Sequence, residues 1–124
     1  MRAKNIVPAA YLTADDAIRR AWGGDTSADE HWTPLKPELG QCAVTALILQ
    51  SLFGGELLRT LANGVSHYYN SIGGEIVDLT RAQFDEPLTL EEPVIRERDY
   101  VLSFPATLDR YNRLLNRLVD QQLN

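Results

Sequence analysis

The run from Gln41 to Phe53 constrains this chain most, because Ala43, Val44, Ala46, Leu47, Ile48, Leu49, Leu52 and Phe53 leave no polar stripe at helical spacing. It is longer than a typical strand, and Gly54-Gly55 supply a C-terminal stop. The spacing predicts a central helix that must be covered on all sides. Three strand-sized runs follow it: Glu56 to Leu61, Val65 to Asn70 and Glu75 to Leu79, separated by Asn63-Gly64 and by Ser71 to Gly74. They predict an antiparallel meander against which the helix packs.

The remaining segments complete an α+β domain. Thr13, Asp15 and Asp16 followed by Ile18, Arg19, Arg20 and Trp22 have the acidic first turn and basic last turn of a short helix closed by Gly23-Gly24. Asp25 to Gly40 lacks periodicity and is expected to be an ordered loop. Gln83 to Glu97, acidic and carrying Pro87 and Pro93, is expected to be a loop or irregular edge after one helical turn at Thr80 to Phe84. At the end, Ser103 is placed as an N-cap with Pro105 in the first turn, and Leu108, Tyr111, Leu114, Leu115 and Leu118 recur at helical spacing. With no repeat or linker, residues 1–124 are expected to form a single domain.

Composition removes several function classes. Lys plus Arg total 12 against 17 Asp plus Glu, a net charge of −5 without a basic cluster, so nucleic acid is not an expected partner. Cys42 is the one cysteine, which excludes an intrachain disulfide and fits a reducing compartment. No stretch approaches the roughly 20 apolar residues of a membrane span, and the start is too short and broken for a signal core. A cytoplasmic protein with no membrane partner is expected. One Cys and two His, without finger or helical ligand spacing, argue against a metal. The paired glycines read as turns rather than a phosphate loop, so no cofactor is expected.

The residues that could carry chemistry are Cys42, His67 and Asp78. Cys42 begins the central helix, where unpaired N–H groups and the macrodipole favour an anion. Thiols with pKa near ~8.5 are a few per cent ionised at neutral pH, whereas helix-start or His-paired thiols reach roughly 3.5–7.5. Of the two histidines, His31 falls in the irregular loop and His67 in a strand. If Ser71 to Gly74 form a four-residue loop, His67 lies opposite Asp78; a two-residue Gly73-Gly74 turn makes the two diagonal neighbours on the same face. Plainer roles are open for each: a small core thiol, a hydrogen-bonded sheet histidine, and a carboxylate capping the turn at Thr80.

Gly40-Gln41-Cys42-Ala43-Val44-Thr45-Ala46-Leu47, Gly54-Gly55-Glu56, Ser66-His67-Tyr68-Tyr69-Asn70 and Val77 to Phe84, with Asp25-Thr26-Ser27 and Trp32, resemble the YunG-like family of uncharacterised bacterial proteins. More remotely, the order Cys-helix, His-strand, Asp-strand is similar to papain-like and transglutaminase-like cysteine enzymes. That likeness implies a minimal papain-like (NlpC/transglutaminase-like) domain and a cysteine-dependent amide hydrolase or acyltransferase acting on a small-molecule or peptide amide. Where papain-type enzymes place an oxyanion-stabilising Gln, six residues before the Cys, this chain has Lys36. The oxyanion and substrate contacts are therefore sought in the Cys42 backbone N–H, Gln41, Trp32, Tyr69, Asn70 and the Asp25-Thr26-Ser27 loop, with Tyr68 and Trp22 as further aromatic walls. Gln41 and Asn70 also suit a helix N-cap and a strand-end turn. The alternative is a non-catalytic binding module on the same fold, using the cleft near Trp32 and Tyr69 or the apolar side of the last helix. A small acidic regulatory protein presenting Asp85 to Asp99 to a cationic partner is a third reading.

Overall fold

A computed structural model describes residues 1–123. A 3-10 turn (Ala9–Tyr11) leads into α1 (Leu12–Ala21); α2 is Cys42–Phe53. Strands β1 (Glu56–Ala62), β2 (Val65–Ile72) and β3 (Glu75–Val77) follow, then a second 3-10 turn (Arg81–Gln83), β4 (Val94–Arg96), α3 (Arg98–Leu102) and α4 (Pro105–Leu123). All pairings in the four-stranded sheet are antiparallel, in the order β3-β2-β1-β4. Among the described residues no helix is long and apolar enough to cross a membrane.

The missing polar stripe of α2 has a direct structural counterpart. Leu47, Ile48 and Leu49 are each at most 1% exposed, so the middle of the helix is covered on every side, whereas Leu52 and Phe53 in its last turn are exposed. Leu57, Ile72 and Val77 of the sheet share its core with Ile18, Ala21 and Trp22 at the end of α1, Val101 of α3, and Tyr111 and Leu114 of α4. Each such aliphatic side chain contributes roughly 1.5–3 kcal/mol when withdrawn from water, which makes α2 the apolar axis of the molecule. Polar ties also reach into this core, among them the Trp22 indole N–H donating to Thr45 Oγ1 at 3.0 Å.

Both hairpins close through two residues at positive φ, Asn63 (49°) with Gly64 (80°) and Gly73 (57°) with Gly74 (82°). That backbone matches the twist of the flanking strands. Ile72 therefore pairs with Glu75 and Asn70 with Val77, so the four-residue loop is replaced by the two-residue turn, and β3 ends at Val77 instead of Leu79. Beyond β3 the N-terminal segment takes over as partner. Ile6 and Asp78 exchange backbone hydrogen bonds at 2.9 Å in both directions, and Ala3 N–H donates to Phe84 O at 2.8 Å.

Of the two alternatives for Gln83 to Glu97, loop or irregular edge, part of the segment takes the second: Val94–Arg96 pairs with β1 as the edge strand β4. One further expectation is corrected. Ser103 is not the N-cap of the last helix, because it closes α3 and its hydroxyl donates back to Tyr100 O at 2.6 Å. Pro105 is the first residue of α4, where its missing N–H costs nothing.

Asp25 to Gly40 is an ordered loop, as the sequence implies. Glu38, 4% exposed, accepts from Arg19 Nη1 (3.0 Å), Asn5 Nδ2 (3.2 Å) and Arg2 Nη1 (3.3 Å), tying the loop to α1 and the N-terminal segment. The loop returns to α2 through Gly40 at φ 72°, where an added Cβ would fall 2.6 Å from Asp29 N, 2.9 Å from Ala28 N, and against Ser27 Oγ. Gly40→Ala is expected to lower the unfolding free energy in urea by about 2–4 kcal/mol, from strain plus overpacking. Gly64→Ala, at φ 80° with nothing within 4 Å, should lose only about 1 kcal/mol.

Candidate active site

His67 is fully buried in β2, and both its ring nitrogens meet side chains of the turn that follows β3. Nε2 lies 2.8 Å from Asp78 Oδ2, and Nδ1 lies 3.3 Å from Gln83 Nε2. The two-residue hairpin makes this geometry available: His67 and Asp78 are diagonal neighbours on one face, and their side chains close the remaining gap. Tyr69 stacks on the ring at 5.9 Å between centroids, and Phe84 meets it edge-on at 5.0 Å.

Asp78 is itself saturated. Its Oδ2 also accepts Arg81 Nε at 2.9 Å, while Oδ1 accepts the Thr80 N–H at 3.2 Å. The capping role and the His-partner role, alternatives in the sequence, thus coexist in one carboxylate, one oxygen for each. The Thr80 hydroxyl adds a longer contact at 3.5 Å, so four donors surround this buried carboxylate.

Cys42 is partly exposed at the first position of α2, and its thiol is a hydrogen-bond partner of the His67 imidazole and of the Tyr68 backbone N–H. Burial opposes ionisation of the thiol, and the Asp78 charge adds to that opposition, but the His67 bond and charge outweigh both and the thiol pKa falls below its ordinary 9.0. For His67, burial works against the charged ring. Hydrogen bonds from Asp78 and Cys42, with the charges of both, overcome it and push its pKa up to about 9. The two shifts are coupled: each favours moving the thiol proton onto the imidazole, toward a thiolate–imidazolium pair.

The four residues proposed around this pair go to different places. Gln41 is fully buried; its Oε1 accepts from Thr26 Oγ1 (2.9 Å) and its Nε2 donates to Gly23 O (3.0 Å), so it braces the loop and makes no side-chain cap. Asn70 points to the opposite face of β2 from His67 and donates to Ala46 O of α2 at 2.9 Å, in mid-strand and not at a turn. Trp32 donates its indole N–H to Pro37 O at 2.9 Å, within the loop. Only Tyr69 joins the site, against the imidazole and under the Arg81 guanidinium at 5.5 Å. His31 stands exposed in the loop beside Glu30. Sequence reasoning missed Arg81 and Gln83, although both fall within a turn anticipated from Thr80 to Phe84. Among the described residues, no three His, Cys, Asp or Glu side chains gather as a metal site.

The family model described as "YunG protein" matches residues 11–124. The chain is 36% identical over 85 residues to the "Uncharacterized protein YunG" of Bacillus subtilis (strain 168), an alignment covering 68% of this chain and 72% of that protein. No solved structure matches the chain, so the likeness to papain-like enzymes finds no structural neighbour.

Two measurements follow from the ion pair. At pH 6, iodoacetamide should alkylate Cys42 at least about tenfold faster than a free model thiol, and His67→Ala should remove the excess. Stability has its own signature. His67, raised from 6.5 to about 9, adds stability that is complete below pH 6.5 and lost as pH rises through about 9. Cys42, lowered from 9.0, adds stability present above that value and lost as pH falls through its depressed one. Between these limits the slopes cancel, because folding only hands the thiol proton to the ring. Urea unfolding of Cys42→Ala should therefore lose stability between pH 7 and about 8.5 relative to wild type, a drift that equal pH profiles would exclude.

Proposed function

The chain belongs to the YunG family, and from the geometry around Cys42 we propose that it is a cysteine-dependent amide hydrolase or acyltransferase with a Cys42–His67–Asp78 triad. The observation that carries this reading is the His67 ring, which has Asp78 2.8 Å from Nε2 and the Cys42 thiol as a further hydrogen-bond partner. A carboxylate and a thiol on one imidazole are the partners a proton shuttle requires.

The chemistry proceeds in two halves. Thiolate Sγ of Cys42 attacks the substrate carbonyl carbon, and the carbonyl π pair moves to oxygen, near the free N–H groups that begin α2. His67 gives its proton to the departing amine as the C–N bond breaks, leaving a thioester on Cys42. Acylation removes the thiolate whose charge and hydrogen bond help hold the ring protonated, so the ring's pKa falls and the imidazole, its proton already given to the amine, stays neutral and free to accept another. It then takes the proton of the attacking water or amine, and the thioester C–S bond breaks. Asp78 keeps Nε2 protonated throughout, with Arg81 fixing the carboxylate.

The same reading treats the domain as a minimal papain-like arrangement. Its support is the order of elements: a cysteine at the start of the central helix, a histidine in the second strand, and a carboxylate just past the third. A peptide or side-chain amide is the substrate class this chemistry suits.

A second reading, a non-catalytic binding module, is favoured by one observation. A hollow of about 640 Å³ opens between α1, α2 and α4, lined by Ala14, Ile18, Ile48, Phe53, Leu115 and Leu118, on the apolar side of the last helix.

Exposure to an activated acyl donor such as p-nitrophenyl acetate should place one acetyl group on Cys42, read by intact and peptide mass. Cys42→Ser should abolish it, and His67→Ala and Asp78→Asn should slow it by about 10²–10⁴. Acetylation that is no faster than that of a free thiol, in a chain whose apolar hollow still captures ligand after Cys42→Ser, would instead establish the binding module.

A further inference from the structure

The turn Arg81–Gln83 holds a donor that the three-residue scheme does not use. Gln83 is 9% exposed, and its amide spans two parts of the site. Oε1 accepts the Gly40 N–H at 3.2 Å, and Nε2 lies 3.3 Å from His67 Nδ1. A backbone N–H can meet only the oxygen of that amide, so Gly40 fixes which end carries the hydrogens: the NH2 group faces the ring nitrogen. The contact is a hydrogen bond only while Nδ1 carries no proton. When the imidazole is charged, two donors face each other, and the Gln83 NH2 becomes a buried donor whose complement is an anion.

We infer that the Gln83 side-chain amide is the oxyanion donor of this site, receiving with the free N–H groups at the start of α2 the negative charge that forms on a carbonyl oxygen attacked by Cys42. The inference rests on the acyl-transfer reading above. It supplies a donor that Gln41, engaged at both ends by Thr26 and Gly23, is not placed to provide. The amide is held before the reaction by Gly40, two residues ahead of the nucleophile, so it need not reorganise as charge develops.

Two reactions of the same sulfur separate this role from a structural one. Attack on p-nitrophenyl acetate forms the Sγ–C bond and moves the carbonyl π pair to oxygen. Collapse then expels p-nitrophenolate with its bonding pair, leaving S-acetyl Cys42, and the imidazolium proton passes to solvent. Alkylation by iodoacetamide forms an Sγ–CH2 bond and releases iodide, with no oxyanion at any stage.

Gln83→Ala, and the nearly isosteric Gln83→Met as the variant more certain to fold, should slow p-nitrophenolate release by about 10²-fold while iodoacetamide alkylation at pH 6 changes by less than about threefold. Acylation at the wild-type rate in both variants overturns the assignment of Gln83 alone. So does an equal fall in both reactions, which is the mark of a merely structural residue. A wild-type chain that is alkylated rapidly but never acylated overturns the acyl-transfer reading itself, and this inference with it.

Discussion

A buried imidazole gripped at both nitrogens by one short turn is the constraint around which this site is built. Asp78 reaches Nε2 and Gln83 reaches Nδ1, five residues apart on the same stretch of backbone. A histidine withdrawn from water needs partners at both nitrogens, and here a single turn lies against both: Asp78 at Nε2, and at Nδ1 Gln83, whose contact is a hydrogen bond when that nitrogen is unprotonated. The turn is held in place by contacts from elsewhere: Ile6 pairs with the Asp78 backbone, Asn5 Oδ1 accepts the Ala82 N–H at 2.8 Å, and Gly40 is held by Gln83. Electrostatics follows from that placement. The carboxylate, already paired with Arg81, helps raise the ring's pKa, and the ring in turn lowers that of the thiol.

The apolar helix and the polar cluster depend on one another. Because the middle of α2 is enclosed on every side, the helix holds its direction, and Cys42 at its first position is held in a well-defined place. The helix is entered from a loop bound by Gln41, Thr26, Ser27 and Glu38, all at most 9% exposed, instead of by a side-chain cap. Polar burial here is local and paired, so the cost of dehydrating these groups is offset within the loop itself.

Much of the architecture was legible in the chain because it rests on local signals. Uniform apolarity marks α2, Asn63-Gly64 marks a tight hairpin, and Leu108 to Leu118 mark one face of α4. What escaped was long-range. A three-residue strand such as Val94–Arg96 carries no periodicity of its own and is defined by β1 across the sheet. Ser103 had the right residue type for a cap, but the short helix before it claimed the hydroxyl first. For the site, Cys42, His67 and Asp78 could be linked by element type and hairpin register. Arg81 and Gln83 could not, since nothing local distinguishes a charged or amide side chain turned inward from one facing solvent. Gln41 and Asn70 erred in the same way: polarity suggested chemistry, while their actual partners are backbone carbonyls and a loop hydroxyl.

The pairing of Ile6 with Asp78 bears on how the chain comes off the ribosome. The N-terminal segment emerges long before its partner, and the cysteine emerges before the histidine, carboxylate and glutamine that alter its chemistry. A nascent chain consequently carries an ordinary, mostly protonated thiol, slow to react with electrophiles or oxidants in its surroundings. The contacts that lower the thiol's pKa form only after translation has passed the turn and the two distant segments have docked, so the shift belongs to the folded chain and not to the nascent one.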